Sequence, residues 1–109
     1  MSVKVYVAGP YTSAPLDNTL TAIDAADNLL RLGYVPFIPH LSHFWDERHP
    51  HHYDDWLGWC IEWVKCCDAI LRLPGESIGA DIETELAAAI DIPVYESIEA
   101  LHQAMQENA

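Results

Sequence analysis

The sequence predicts a small α/β protein with a doubly wound parallel sheet between two layers of helices. Two observations carry this prediction. Short apolar runs alternate along the chain with longer segments whose apolar residues recur at helical spacing. The chain has 109 residues, of which 50% are hydrophobic, and this suits a single domain spanning residues 1–109 around one modest core.

Four strands are predicted from apolar runs that stop at turn-forming residues. The first run is rich in β-branched side chains and ends at Gly9-Pro10, and Pro39 closes the second. The predicted strands are residues 3–8, 34–38, 68–73 and 92–95.

Four helices are predicted from apolar residues at helical spacing, with Gly33 ending the first of them. The predicted helices are residues 17–32, 53–65, 79–90 and 98–107. Residues 40–50 show neither period and carry no predicted element. With crossover helices on both faces, the strands make a flavodoxin-like, Rossmann-like three-layer sandwich of four to five parallel strands in the order 2-1-3-4.

The acidic composition argues against one class of partner. The formal net charge is −12, the pI is near 4.5, and only 5 residues are Lys or Arg, so a nucleic acid polymer finds no basic surface. A small anionic ligand remains compatible, because backbone amides hold phosphate without a basic patch.

The cysteines and the hydropathy pattern predict a soluble cytoplasmic protein without a membrane partner. Cys60, Cys66 and Cys67 are odd in number and clustered, unlike a disulfide framework. The sequence shows no signal peptide and no apolar run long enough to span a membrane.

Ligands of open parallel sheets bind at the carboxyl ends of the strands, so the loops after the first three strands are predicted to meet in one site. These loops are residues 9–13, 39–45 and 74–77. The first of them supplies the candidate binding residues Gly9, Pro10, Tyr11, Thr12 and Ser13.

Residues 77–83 follow the third predicted strand and open an alanine-rich helix. Ser77 supplies a hydroxyl, Gly79 permits close backbone approach, and the free N–H groups of the first turn favour an anion. Glu83 is predicted to face the same site. A simpler interpretation also stands, in which Ser77 caps the helix and Glu83 complements the helix dipole.

One combination of residues is specific enough to compare with known families. It consists of Tyr6 in the first strand, Ser77 six residues before Glu83, and Ala87 after Glu83. The segments that accompany it extend over most of the chain. Those segments are VYVAGPY at 5–11, GYVP at 33–36, PHLSHF at 39–44, CDAILRL at 67–73, residues 77–83, and IPV at 92–94. In these segments the chain resembles the nucleoside 2-deoxyribosyltransferase superfamily. It is most similar to the small 2'-deoxynucleoside 5'-phosphate N-hydrolases and a related branch of small domains.

The resemblance implies a role for two residues. In such enzymes the glutamate that matches Glu83 attacks or stabilises the anomeric carbon as the glycosidic bond breaks, and a carboxylate suits an oxocarbenium-like transition state. Tyr6 matches a tyrosine that orients this carboxylate or touches the sugar. The alternative for Tyr6 is a strand tyrosine half in the core.

Within the resemblance, Ser77 separates two substrate classes. Transferases that act on free nucleosides carry an acidic residue at this position, whereas the nucleotide hydrolases carry a serine that helps to hold a 5'-phosphate. Ser77 therefore favours a deoxynucleoside monophosphate. The hydrolases also place an arginine in the first loop, where this chain has Thr12.

Cys60 lies eight residues before Asp68, where the superfamily has an aspartate that protonates or orients the leaving base. A neutral thiol does this poorly at pH 7, and a cysteine on an apolar helix face is more simply a small buried hydrophobe. Asp54 and Asp55 are more simply helix caps than replacement acids. The acid that protonates the leaving base is therefore unassigned by the sequence.

Residues 39–52 hold five of the six histidines. No His-Glu-x-x-His and no paired Cys-x-x-Cys pattern occurs, so neither a metal nor a cofactor is predicted. His40 and His43 follow the second strand and are predicted to contact a base or sugar or to donate a proton, with Phe44 and Trp45 stacking on the base. The remaining histidines of this segment are expected to cover a loop or a subunit contact.

Two functional classes follow. The first is an enzyme that cleaves or transfers the N-glycosidic bond of a 2'-deoxynucleoside or its 5'-monophosphate. The second is a nucleotide-binding module on the same fold that has lost turnover, which Cys60 favours. The enzyme is preferred because a carboxylate is present at Glu83. A homo-oligomer is predicted as well, because Trp56, Trp59 and Trp63 give one helix more apolar surface than one face can hide.

Overall fold

The sheet contains four parallel strands in the order β2-β1-β3-β4, as the sequence predicts. The computed structural model describes residues 2–108. The strands are β1 (Lys4–Ala8), β2 (Val35–Phe37), β3 (Ala69–Arg72) and β4 (Val94–Tyr95). The helices within these residues are α1 (Pro15–Arg31), α2 (Ser42–Arg48), α3 (Tyr53–Val64), α4 (Ile78–Ala89) and α5 (Ile98–Glu107), with a 3-10 turn at Pro39–Leu41.

Successive side chains of β1 point to opposite faces of the sheet, and they divide the core into two layers. Val5 and Val7 pack with Leu29 of α1 and Leu101 of α5. On the other face, Tyr6 and Ala8 pack with side chains of the second layer, which are Val64, Cys67, Ile70, Ala80 and Ala87. Helices α3 and α4 therefore cover the face on which Tyr6 lies.

Helix α2 lies in the segment where the sequence shows no period. The reason is its surface position: none of its residues is buried, so no apolar stripe records its contact with the core. Asp46 of this helix accepts hydrogen bonds from the His51 backbone N–H at 2.9 Å and from Trp56 Nε1 at 2.7 Å. These bonds attach α2 to the start of α3.

The tryptophans of α3 pack mainly against one another and against β2. Phe37 stacks on Trp63 with ring centroids 4.8 Å apart and lies 5.5 Å from Trp59, yet Trp63 remains 43% exposed. Only Val64 of this helix is fully buried, so much of its predicted apolar face is open to solvent. Along residues 2–108, no helix is long and apolar enough to cross a membrane.

Gly75 brings the loop after β3 against the loop after β1. Its φ is +114°, and a Cβ built there would stand 2.7 Å from Pro10 Cγ. We expect Gly75→Ala to lower the free energy of unfolding by about 1–3 kcal/mol, because it adds both backbone strain and a collision. Gly58→Ala is the control, since nothing lies within 4 Å of its Cβ position and alanine is the better helix former. Urea unfolding of both variants tests this, and equal stabilities would contradict it.

Candidate functional site

A cavity of about 700 Å³ opens at the carboxyl ends of the strands, between the first loop, α3 and the start of α4. Eight of the residues predicted from the sequence line it: Gly9, Tyr11, Thr12, Ser13, His40, Ser77, Gly79 and Glu83. The other three, Tyr6, Pro10 and His43, stand behind this lining and contact it through hydrogen bonds. Three loops that are distant in the sequence thus meet at the carboxyl ends of the strands, where ligand sites of parallel sheets usually form.

Tyr6 and Glu83 form a buried pair at the floor of the cavity. The Tyr6 side chain is fully buried and Glu83 is 7% exposed, and the Tyr6 hydroxyl donates a hydrogen bond to Glu83 Oε2. Burial raises the pKa of Tyr6 well above its usual range, so it remains a hydrogen-bond donor. Burial also raises the pKa of Glu83 to about 7, although the bond from Tyr6 opposes the shift. Glu83 is therefore near half ionisation at neutral pH.

Because the pKa of Glu83 is raised, the free energy of unfolding is expected to depend on pH. The folded protein favours the protonated form of Glu83. The contribution of this group to the free energy of unfolding is therefore complete below its unfolded pKa of about 4.5 and is lost as the pH rises through about 7. Glu83→Gln removes this loss. We expect the variant to gain about 2–3 kcal/mol of unfolding free energy relative to the wild type between pH 4.5 and pH 8.

Denaturant unfolding at the two pH values measures that gain. Glu85→Gln on the same helix is the control, because Glu85 is exposed. If the difference in unfolding free energy between the wild type and Glu83→Gln does not change with pH, the pKa of Glu83 is the same in the folded and unfolded protein.

Cys60 also lines the cavity. Its thiol lies beside Tyr6 and Glu83, and burial raises its pKa to about 12, so it remains protonated. The apolar pattern of α3 predicts a packed hydrophobe at this position, whereas the structure brings the thiol to the buried pair. Asp54 and Asp55 lie exposed in the first turn of α3 and do not line the cavity.

Ser77 both caps helix α4 and lies at the cavity. Its Oγ accepts a hydrogen bond from the Ala80 backbone N–H at 3.1 Å, so it is the N-cap, and it also lines the cavity. At Gly79 a Cβ would stand 3.2 Å from the Tyr53 hydroxyl. The absence of a side chain therefore lets α4 approach α3 closely at the cavity wall.

Arg72, at the end of β3, is a site residue that the sequence pattern does not reveal. Its guanidinium donates to the Leu73 and Gly75 carbonyl oxygens and pairs with Asp81 at 3.1 Å. Its positive charge also lowers the pKa of Glu83. Arg72 therefore holds the third loop against α4 and favours the ionised carboxylate.

His40 holds the first loop in place. Its Nε2 donates to the Pro10 carbonyl oxygen at 3.0 Å, and its ring is 4% exposed. Its Nδ1 has no hydrogen-bond partner among residues 2–108. Burial lowers the pKa of His40, so the neutral imidazole is favoured and its one N–H is committed to the loop.

The first loop is further ordered by Asn18 of α1. Its Nδ2 donates to the Tyr11 carbonyl oxygen and to Ser13 Oγ, both at 3.1 Å. The Tyr11 hydroxyl in turn lies 2.8 Å from His43 Nδ1. Thr12 and Ser13 are exposed at the mouth of the cavity.

The aromatic residues that line the cavity are not the ones that the sequence predicts. Phe44 and Trp45 are about half exposed and lie outside the cavity lining, because Trp45 packs edge-on against Trp56 and Trp59. The lining residues that lie outside the segments predicted to form the site are Asp46, His51, Tyr53, Trp56 and Leu57, together with Cys60. A signal existed for this set, since most of it follows the carboxyl end of β2 along the chain.

No metal site is formed by the described residues. In the stretch from residue 2 to residue 108, no three His, Cys, Asp or Glu side chains are arranged to hold an ion. The lining contains no Lys or Arg among these same residues. The groups that the lining offers to a ligand are amides, hydroxyls, imidazoles, a thiol, aromatic rings and carboxylates.

The fold and the cavity define a small flavodoxin-like α/β protein with a ligand cavity at the carboxyl edge of its sheet. Residues 3–96 match the family described as domain of unknown function DUF4406, and the chain belongs to that family. A search of curated proteins found no match.

Proposed function

We propose that this protein cleaves or transfers the N-glycosidic bond of a 2'-deoxynucleoside or its 5'-monophosphate, with Glu83 as the nucleophile. One observation carries the proposal. A carboxylate lies at the floor of an open cavity, buried against a tyrosine hydroxyl, with the amide-rich start of α4 beside it. The similarity to the nucleoside 2-deoxyribosyltransferase superfamily adds support at Tyr6, Ser77 and Glu83.

The reaction uses Glu83 in its ionised form. A carboxylate oxygen forms a bond to C1' of the deoxyribose while the C1'–N bond breaks, and the electron pair of that bond leaves with the base, which takes up a proton. Water or a second base then displaces Glu83 from C1'. Tyr6 holds the carboxylate in place and stabilises its charge through the hydroxyl hydrogen bond.

Two features of the cavity bear on the substrate class in opposite directions. Ser77 and the amides at the start of α4 favour the phosphate of a monophosphate. Asp46 and Glu76 place further carboxylates in the lining, which favours a neutral nucleoside. The proposal therefore covers both substrates, and experiment separates them.

The test is incubation of the purified protein with the four common 2'-deoxynucleosides and their 5'-monophosphates, with free base followed by chromatography. Base release confined to monophosphates supports a nucleotide hydrolase, and release only when a second base is added supports a transferase. Glu83→Ala is run beside the wild type. Failure to release base from every substrate, with or without a second base, rejects the proposal.

The alternative is a nucleotide-binding module without turnover. Cys60 favours it, because a thiol whose pKa is raised to about 12 does not replace an aspartate beside the buried pair. Nucleotide binding by calorimetry without base release is its signature.

The proposal extends to assembly and location. A second copy of this chain is the proposed partner, since Trp45 and Trp63 leave apolar surface exposed beside the edge strand β2. Three free thiols fit a reducing cytoplasm. Light scattering tests assembly, and a strict monomer rejects that part.

A further inference from the structure

A chain of hydrogen bonds runs from the cavity wall to the protein surface through Tyr11, His43 and Glu47. The Tyr11 hydroxyl lies 2.8 Å from His43 Nδ1, and His43 Nε2 lies 3.0 Å from Glu47 Oε1. The side chain of His43 is 13% exposed and that of Glu47 is 66% exposed. The three groups thus connect a residue that lines the cavity to one in contact with solvent.

The protonation state of His43 sets the direction of the Tyr11 hydroxyl. When the ring is neutral, the Nε2–H donates to Glu47, and Nδ1 accepts the hydrogen bond of Tyr11. When the ring holds a second proton, Nδ1–H donates to the Tyr11 oxygen instead, and the Tyr11 O–H is released toward the cavity. The carboxylates beside His43 are Glu47 and Asp46.

Four other titratable groups of the site are poorly suited to protonate the base. The Tyr6 hydroxyl donates to Glu83, the His40 Nε2–H donates to Pro10, and burial holds the Cys60 thiol protonated. The bonds from His51 and Trp56 lower the pKa of Asp46, so it is a carboxylate at neutral pH. Tyr11 lines the cavity, and burial raises the pKa of its hydroxyl, so the hydroxyl carries a proton.

We propose that Tyr11 protonates the departing base and is itself reprotonated by His43, which Glu47 positions. This inference rests on the proposed function and supplies the acid that Cys60 does not provide. The proton balance is complete: the base gains the Tyr11 proton, Tyr11 takes the Nδ1 proton of the imidazolium, and His43 becomes neutral. The water or second base that displaces Glu83 then loses a proton, which passes through Tyr11 back to Nδ1 of His43, while Nε2 keeps its proton toward Glu47. Tyr11 is the catalytic residue, and His43 and Glu47 act through it.

The test compares leaving groups that do and do not need a proton. The natural substrates are the four 2'-deoxynucleosides and their 5'-monophosphates, and the comparison substrates are 4-nitrophenyl 2-deoxyribofuranoside and its 5-phosphate. A nitrophenolate leaves without protonation. The measured quantity is the ratio of kcat/KM for the best natural substrate to kcat/KM for the matching nitrophenyl compound.

We expect Tyr11→Phe and His43→Gln to lower this ratio by about 10²-fold or more, as removal of a general acid does. Glu47→Gln lowers it by a smaller factor, and Glu83→Ala lowers both activities together without this selectivity. His52→Gln is the control, because His52 is exposed and lies outside the cavity. Tyr11→Phe keeps the ring, and circular dichroism verifies that each variant is folded.

Three results would overturn the relay. The first is an unchanged ratio in Tyr11→Phe and His43→Gln, the second is a selective loss in His51→Gln instead, and the third is a wild type that cleaves only the nitrophenyl compounds. A wild type inactive on every substrate overturns the proposed function itself. If only the relay is wrong, Glu83→Ala still lowers kcat/KM for both the natural and the nitrophenyl substrates.

Discussion

Glu83→Gln is expected to reduce base release by at least about 10³-fold, because the nucleophile is lost while the shape of the side chain is kept. The wild-type rate should also depend on pH through the same group. Since burial raises the pKa of Glu83 to about 7, the ionised form required for attack accumulates only as the pH rises through that value. We expect kcat/KM for the 4-nitrophenyl compounds, whose leaving group needs no proton from Tyr11, to fall about tenfold for each pH unit below about 6 and to level off above about 8.

Measurement of kcat/KM from pH 5 to pH 9 tests this profile, with Glu85→Gln as the matched variant because Glu85 is exposed on the same helix. A rate that falls as the pH rises through 7 would make Glu83 an acid rather than a nucleophile. Full activity in Glu83→Gln would remove the residue from the chemistry.

Tyr6→Phe is expected to shift the same limb of the pH profile upward. The hydroxyl of Tyr6 donates to Glu83 Oε2, and this bond lowers the pKa of the carboxyl against the effect of burial. Its loss raises the pKa of Glu83 further, so less of the carboxylate is ionised at a given pH. A shift of one pKa unit corresponds to about a tenfold loss of kcat/KM at pH 6 and a much smaller loss at pH 9.

The matched control is Tyr34→Phe. Tyr34 is also buried, and its hydroxyl lies 2.6 Å from His102 Nδ1, away from the cavity. We expect its pH profile to match that of the wild type. A Tyr6→Phe profile reduced by the same factor at every pH would mean that Tyr6 contacts the sugar rather than tuning Glu83.

The exposed aromatic surface and the cavity share the helix α3, and this shows one limit of sequence reasoning. An apolar stripe at helical spacing shows which side chains avoid water, but it does not show what lies opposite each of them. Val64 packs into the core, whereas Cys60, one turn earlier on the same stripe, faces the cavity and the Tyr6–Glu83 pair.

Helix α2 shows a second kind of limit. Its residues are not buried, so they carry no period for a sequence pattern to detect, and α2 nevertheless supplies His43 and Glu47 to the hydrogen-bond chain. Asp46 likewise reaches the cavity only because its carboxylate joins α2 to Trp56 of α3. Phe44 and Trp45, the more conspicuous residues of the segment, lie outside the cavity.

The sequence by itself determined the fold class, the order of the strands and the loops that meet at the carboxyl edge. The helices and strands depend on residue spacing within each segment, and segments of two to seventeen residues carry that information locally. The order of the strands follows from the connection rules of doubly wound sheets. Tertiary structure alone decided the raised pKa of Glu83, the place of Cys60 beside it and the contact of Tyr11 with His43. Each depends on burial and on contacts between segments far apart in the chain, such as Tyr6 and Glu83, which are 77 positions apart. Those contacts exist only after the helices pack on the sheet.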